Sequence, residues 1–473
     1  MKKILFVASE AVPFIKTGGL ADVVGTLPKY YTKENYDVKV ILPKYSFIAN
    51  KWKEKIKSVI EFEETHILKI EHEGIEFYFI DNHHYFTSET PYGDTQLDVE
   101  KFAFFSKMTL AILPRLNFKP DVIHCHDWQT GLIPVYLDNL RKSDKFYCGI
   151  KTIMTIHNLQ FQGRWNRKVM QKFTGLSSEY FTMDKLGIEE KDASYLKGAL
   201  VYADFITTVS NSYAEEIKTA FYGEGLEDLL NDRSDVLCGI INGIDYEEYN
   251  PKTDSMIIQN FDAADFQTEK IKNKIALQKE LHLTEDPETM MIGVVSRLTS
   301  QKGFDMVETV LDELCSDRIQ LVVLGTGEAR YEKMFKHYAK KYPAQISANI
   351  YYSEEMSHKI YASCDMFLMP SLFEPCGLSQ LMSLRYATVP LVRETGGLRD
   401  TVCAYNEYEK SGTGFSFANY NAYEMLFIIR YAQKFYYDSK EEWNEIAKRG
   451  MEEDFSWKHS AKQYEKLYDN ITK

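Results

Sequence analysis

The sequence predicts an α/β protein with two Rossmann-like, doubly wound domains facing a cleft, and three observations predict it. Short β-branched runs alternate with helical patterns along the whole chain, the pattern of parallel sheets covered by helices on both faces. A cluster of turn signals over 242–265 (Asn-Gly, Asn-Pro, Lys-Thr-Asp-Ser, then a polar tract) divides the alternation into two sets. With 473 residues, 44% of them apolar, the chain can bury more than one core and is too apolar to stay disordered.

In the first set, strands are expected at residues 4–8, 38–42, 77–80, 122–125, 152–156, 205–209 and 237–241. Helical patterns at 20–33, 102–113, 130–140, 195–202 and 212–220 fall between them. The turn cluster ends the strand at 237–241 and reads as a linker, so one domain is expected over 1–245 and a second over 246–455. There the plan repeats: strand 291–296, helix 304–314, strand 320–324, helix 330–342, strand 346–351, helix 357–362, strand 366–369, helix 378–386 and strand 389–392. Ligands of open α/β sheets bind beyond the carboxyl ends of the strands, which makes the cleft between two such domains the expected site.

The formal net charge of −13 disfavours a general nucleic-acid or anionic-membrane surface while leaving room for a local basic pocket. No run approaches the roughly 20 apolar residues of a membrane span. The apolar start at 4–8 is cut short by Glu10, so neither a span nor a secretory signal is expected, and the protein is expected to be soluble and cytoplasmic. Seven cysteines, odd in number and never spaced Cys-x-x-Cys, argue against a disulfide framework and a structural zinc site and read as reduced core thiols. Aromatic residues are abundant at 14%, which suits sugar stacking but equally suits core packing.

Chemistry-bearing residues gather at the expected strand ends. Lys16-Thr-Gly-Gly-Leu-Ala-Asp22 and Glu394-Thr-Gly-Gly-Leu-Arg-Asp400 share T-G-G-L-x-D, each after a strand and before a helix. Paired glycines there let the backbone approach a ligand, and the free amides of a helix start favour an anion or hydroxyls; a tight turn with no ligand is the plainer alternative. His124-Cys-His126-Asp127-Trp128 follows an apolar strand and is expected to project into the cleft, as catalytic groups or as part of a metal site completed by a carboxylate or by His157; histidines bonded within the fold are the plainer alternative. Ser296-Arg297-Leu-Thr-Ser-Gln-Lys302-Gly303 places two cations at a helix start, a site suited to a diphosphate. Gly325-Thr-Gly327-Glu328 lacks the third glycine of a dinucleotide fingerprint and reads equally as a turn. Glu374-Pro-Cys-Gly377 adds a carboxylate that suits sugar hydroxyls, base chemistry or a helix cap.

Lys16-Thr-Gly-Gly-Leu-Ala-Asp-Val-Val-Gly25, His124-x-His-Asp-Trp128, His157-Asn-Leu159, Asn242-Gly-Ile-Asp245, Arg297 with Lys302, Glu374-Pro-Cys-Gly-Leu378 and Thr395-Gly-Gly-Leu398 follow one another in the order and approximate spacing of the bacterial glycogen synthases and plant starch synthases. The chain resembles that family over nearly its whole length. The resemblance implies a glycosyltransferase-B type architecture in which a C-terminal helix over 456–473 crosses back to the first domain. It also implies a retaining glucosyltransferase that moves glucose from ADP-glucose to the non-reducing-end 4-hydroxyl of an α-1,4-glucan, with ADP-glucose as substrate and no cofactor.

Carried over by the resemblance, Lys16 with Gly18 and Gly19 serves the donor, Asp22 the sugar, and Arg297 and Lys302 the phosphates. His126 is placed beside the anomeric carbon, Glu374 at the glucosyl hydroxyls, Thr395, Gly396 and Gly397 at donor phosphate and sugar, and Tyr352 on the adenine. His157, Asn158 and Trp128 are placed on the acceptor side. Two departures stand out: Met382 occupies the place of a second glutamate eight residues after Glu374, and the family's Asp-Asn-x-x-Arg-Phe segment reads Leu97-Asp-Val-Glu-Lys101-Phe102. No Asp-x-Asp motif occurs, so a donor diphosphate is expected to be neutralised by Lys16, Arg297 and Lys302 without a metal. The competing readings are a transferase using UDP-glucose, a metal-dependent hydrolase built on His124 and His126, and a non-catalytic polyglucan-binding protein.

Overall fold

The structure, a computed structural model, describes residues 1–46, 48, 52, 54–62, 64–88, 90–93 and 95–473. It divides into two compact units, Met1–Asn242 with Trp457–Lys473, and Gly243–Ser456.

Among the described residues the first unit holds a nine-stranded sheet. Its strands are β1 (Lys2–Val7), β2 (Tyr36–Pro43), β3 (Lys57–Phe62), β4 (Thr65–His72), β5 (Ile75–Asn82), β6 (Val122–His126), β7 (Lys151–Ile156), β10 (Phe205–Thr208) and β11 (Leu237–Gly239), while β8 (Arg164–Asn166) and β9 (Asp192–Ser194) form a separate pair. The order is β11-β10-β7-β6-β1-β2-β5-β4-β3. All seven strands expected from apolar runs lie in its parallel part, and β3 and β4 extend it antiparallel beyond β5. Those two escaped the sequence pattern because β3 is largely exposed and β4 carries Lys, Glu and His among its apolar residues. The helix expected over 20–33 ends at Thr26 and continues as a 3₁₀ turn, Leu27–Tyr30, because Pro28 cannot donate into an α ladder. The helix Trp457–Ile471 belongs to this unit: Trp457, Tyr464 and Tyr468 are buried on its inner face, and the Tyr468 hydroxyl meets Nδ1 of His124 at 2.8 Å.

The second unit holds a six-stranded parallel sheet. Its strands are β12 (Met290–Val295), β13 (Ile319–Leu324), β14 (Ile346–Asn349), β15 (Met366–Met369), β16 (Val389–Arg393) and β17 (Phe415–Phe417), in the order β14-β13-β12-β15-β16-β17. Helices Phe304–Ser316, Ala329–Lys341, Glu354–Ser363 and Ser379–Arg385 connect them as expected. The helix Phe266–Glu280 was not expected, and its inner face explains why: Lys270, Asn273, Lys274 and Gln278 are buried along it with only Phe266 and Leu277 as apolar companions, so it has no continuous apolar stripe. Lys270 donates to the carbonyls of Tyr361 and Tyr386 and to Thr388 Oγ1 at 2.6–2.9 Å, and burial lowers its ammonium to about 7.

The linker reading of 242–265 does not hold. Ile244, Tyr249, Ile257 and Phe261 are buried in the second core, and Asp254 bonds to His358 and Tyr386, so the stretch is anchored to the second unit. Nor are all the cysteines core thiols, since Cys148 and Cys403 are exposed. No helix among the described residues is long and apolar enough to cross a membrane.

The returning helix makes one bond whose loss is measurable. Tyr468→Phe leaves one nitrogen of the fully buried His124 unmatched, at a cost of about 1–3 kcal/mol. Scanning calorimetry should show the transition of the first unit lowered by several degrees and that of the second unchanged; an unaltered thermogram would show that the bond contributes nothing.

Candidate functional site

In the first unit the candidate residues follow β1, β6 and β7, which are neighbours in the sheet, so their carboxyl ends lie side by side. Beyond β1, Glu10 is almost fully buried and organises the segment that follows. It accepts from the Thr17 amide at 2.5 Å, from Thr17 Oγ1 at 2.7 Å and from the Tyr92 hydroxyl at 2.8 Å. Burial raises its carboxyl, and those bonds hold it down in part. The loop so pinned presents Lys16, Gly18 and Gly19 at the surface, with Lys16 Nζ on Asp22 Oδ1 at 2.7 Å.

Beyond β6, Asp127 has a positive-φ backbone outside the left-handed helical region (φ 56°, ψ −178°), strained for a residue other than glycine. Its amide donates to Thr155 O at 2.9 Å and its Oδ1 accepts the His157 amide at 2.7 Å, which ties the end of β6 to that of β7. Burial pushes its carboxyl up to about 7; the amides of His157 and Asn158 oppose this, and the charge of Glu10 adds to it. His126 Nδ1 meets His157 Nε2 at 2.9 Å. Burial drives the imidazoles of His124 and His157 down to about 3 and that of His126 well below its ordinary value, so all three are neutral at physiological pH.

Two expected placements are corrected. His126 does not project: it is fully buried, packed in one ring cluster with Phe6 (5.6 Å) and His124 (4.4 Å), with Nε2 enclosed and without a hydrogen-bond partner. Trp128 packs on Phe102 at 5.2 Å and faces the core. The imidazole that reaches the surface is His157, half-buried beside the half-buried Asn158. Both nitrogens of His124 are taken, by Tyr468 and by Thr155 Oγ1 at 2.6 Å, which leaves it no lone pair for an ion. Asp98 and Lys101 are buried and hold the 91–93 backbone from within.

In the second unit the candidates follow β12, β15 and β16, also neighbours in their sheet. Lys302 Nζ lies 2.6 Å from Glu374 Oε2, and Ser371 Oγ donates to the same oxygen at 2.9 Å. Glu374 is thus a buried carboxylate held by a cation and a hydroxyl. Its loop is fixed from two sides: Leu372 N donates to Gln301 O at 2.8 Å, and the buried Arg393 donates to the carbonyls of Ser371 and Leu372. Arg297 is exposed and enters no salt bridge among the described residues. Of the three cations expected to face an anion, two are therefore already paired with carboxylates. Tyr352 is 77% exposed and Tyr351 45%. Met382 is buried in the core. The Gly325–Glu328 turn pairs back onto Leu298 through Leu298 N on Thr326 O and Glu328 N on Leu298 O.

The two T-G-G-L copies differ in why they contain glycine. A Cβ on Gly18, whose backbone is extended, would meet nothing within 4 Å. On Gly396 or Gly397 it would lie 2.0 Å from Glu374 O or 2.1 Å from Cys376 O, so there the glycines admit the Glu374 loop itself. Glu10, Ser371, Arg393 and the strained Asp127 were not assigned roles from the sequence. Glu10 had one legible signal, a carboxylate at the exit of an apolar strand just before Lys-Thr-Gly-Gly.

Comparison with known proteins agrees with this layout. The pattern of the starch synthase catalytic domain matches residues 3–232, and that of group 1 glycosyl transferases matches residues 278–449. The chain is 61% identical to a glycogen synthase of Lachnospira eligens and 59% identical to one of Lachnoclostridium phytofermentans, covering 100% of both chains in each case. Among solved structures, the catalytic domain of Arabidopsis thaliana starch synthase IV, bound to ADP and acarbose, superposes with a TM-score of 0.90 at 30% identity over 100% of this chain and 99% of that one. Sucrose-phosphate synthase of Thermosynechococcus elongatus (TM-score 0.62, 14% identity, 100% and 99% covered) shares the fold.

Gly18→Ala should leave the melting temperature unchanged, whereas Gly397→Ala, which drives a methyl group into backbone, should cost about 1–3 kcal/mol or more in thermal unfolding. Equal effects would remove the distinction between the two turns.

Asp127→Asn supplies a pH test. Below about pH 4 both folded and unfolded Asp127 are protonated; from there to about 7 the unfolded chain releases the proton and the folded chain keeps it, so this carboxyl costs stability as pH rises. Asn has the shape of Asp, keeps an oxygen for the His157 amide and carries no such cost. The melting temperature of the variant relative to the wild type should climb by several degrees between pH 5 and 8 and then level off. Parallel curves would show an ordinary carboxyl.

Proposed function

The chain belongs to the glycogen and starch synthase family of glycosyltransferases, and from that membership we propose that it is a cytoplasmic enzyme transferring glucose, with retention, from ADP-glucose to the non-reducing-end 4-hydroxyl of an α-1,4-glucan or maltooligosaccharide. The observation that carries the reading is the grouping at one sheet edge of Lys302, Glu374 and the Gly396-Gly397 turn, with Arg297 exposed at the exit of the adjoining strand.

The difficulty of the reaction is charge. The bond to the diphosphate breaks as positive charge grows on the sugar ring and negative charge on the leaving group, and preorganised donors stabilise the latter. In our reading Arg297 and Lys302 meet the phosphates, Lys16 and the open backbone at Gly18-Gly19 approach the donor, and Tyr352 stacks on adenine. An ammonium has three donors, so Lys302 can keep Glu374 and still bond a phosphate, as Lys16 can keep Asp22. Glu374, paired with Lys302, is an acceptor for sugar hydroxyls. With Met382 in the place of a second glutamate, the two-carboxylate glycosidase scheme has no partner here, which favours front-face transfer in which the departing phosphate helps take the acceptor proton.

On the first unit, His157 takes the position beside the sugar that the family pattern suggested for His126. The buried His126 orients it through the 2.9 Å contact between the rings, and Asp127 fixes its backbone. Asn158 remains the acceptor-side contact, without Trp128.

Labelled glucose transfer to glycogen, run in parallel from ADP-glucose and UDP-glucose after dialysis against EDTA, tests this. ADP-glucose should give a kcat/KM larger by at least about tenfold, and the rate should survive chelation, because protein cations serve the diphosphate. Equal or reversed donor preference would overturn the donor assignment. A rate lost on chelation and restored by Mg²⁺ would overturn the charge argument.

A further inference from the structure

A second polar cluster lies in the Gly243–Ser456 unit, and none of its members belongs to the candidate site described above. Glu248, Glu354 and His358 each bring a ligand atom within 4.8 Å of the others. The two glutamates are exposed, while His358 is fully buried. Its ring is fixed on both sides: Nδ1 meets Asp254 Oδ2 at 2.7 Å, and Tyr249 stacks over it at 4.8 Å with planes 17° apart. Asp254 is itself held by the Tyr386 hydroxyl at 2.6 Å and by the Met256 amide at 2.8 Å.

A carboxylate on Nδ1 selects the tautomer with its proton there and leaves the lone pair on Nε2. That Nε2 is buried and has no hydrogen-bond partner. Because Nδ1 is committed to Asp254, Nε2 is the nitrogen available to the glutamates. A carboxylate behind an imidazole whose other nitrogen is free is the arrangement that orients metal-ligating histidines. Glu354 stands four residues before His358 at the start of helix Glu354–Ser363, so both project from one face of it. Lys359, the neighbouring cation on that helix, is drawn to Glu280 and Glu355.

We propose that Glu248, Glu354 and His358 Nε2 bind one Zn²⁺ ion, with Asp254 as the carboxylate behind the histidine and water completing the shell. One imidazole and two carboxylates suit zinc, whose bonds to such ligands of about 2.0–2.2 Å need the carboxylates to close in by about 1 Å, a movement open to exposed glutamates. The ion joins the anchored 243–265 stretch to the helix that begins two residues after Tyr352.

The test uses the full chain, stripped with chelator and dialysed. Calorimetric titration should give one equivalent of Zn²⁺ with micromolar or tighter affinity. Co²⁺ should give visible d–d bands without the near-ultraviolet thiolate band that the exposed Cys148 or Cys403 would produce. Glu248→Gln and Glu354→Gln, both on the surface, should each weaken Zn²⁺ by at least about tenfold and leave glucosyl transfer unchanged, and Asp254→Asn, checked for fold by circular dichroism, should weaken it about 10–100-fold. The surface pair carries the test, since His358 lies in the core. No uptake at micromolar Zn²⁺, a thiolate band, or uptake undiminished in the Glu248→Gln/Glu354→Gln double variant would each overturn the proposal.

Discussion

A parallel sheet covered on both faces opens to polar chemistry only at the ends of its strands, and every charged group placed there must be satisfied close to a dry interior. The candidate site follows from that constraint. Glu10 is buried because the exit of β1 is buried, and it persists there by taking two bonds from Thr17 and one from Tyr92. The same bonds shape the loop that exposes Lys16 and Gly18. Asp127 does the equivalent between β6 and β7: its strained backbone and raised carboxyl are the cost of placing His157 at the surface with a neutral imidazole.

In the second unit the constraint is met by an ion pair. Glu374 tolerates burial because Lys302 and Ser371 satisfy it, and its loop holds position because Arg393 and Gln301 bond the backbone on either side. Gly396 and Gly397 then serve a packing purpose, letting one strand-end loop lie directly on the next. Gly18 in the turn near Lys16 has no such neighbour, so the repeated motif carries different physical requirements under one spelling.

What the sequence made legible was whatever depends on local pattern. Seven strands of the first sheet and five of the second stood out as apolar runs, and the motifs were located correctly at strand ends. Side-chain direction was not legible. His124 and His126 share one face of β6 by the two-residue period, and whether that face opens to solvent is decided by Tyr464 and Tyr468, which arrive from a helix more than 300 residues away. Trp128 looked like a sugar platform because nothing local reveals Phe102 against it. The Phe266–Glu280 helix was invisible because four of its six buried positions are polar, satisfied by groups from other segments. The 242–265 stretch read as a linker for a related reason: its turn residues are numerous, and its four apolar anchors are spaced without a period.

The pairing of Lys302 with Glu374 also governs how the site responds to change. Removing Lys302 withdraws a donor from the phosphates and at the same moment leaves a buried carboxylate with only Ser371, an arrangement that favours movement of Glu374. Loss of activity in such a variant therefore mixes lost charge stabilisation with a displaced acceptor of sugar hydroxyls. Lys16 carries a milder form of the same coupling, through the more exposed Asp22. Arg297 stands outside both pairs and is exposed, so its substitution changes the charge facing an anion without disturbing either carboxylate. It is the residue from which the electrostatic contribution to transfer can be read directly.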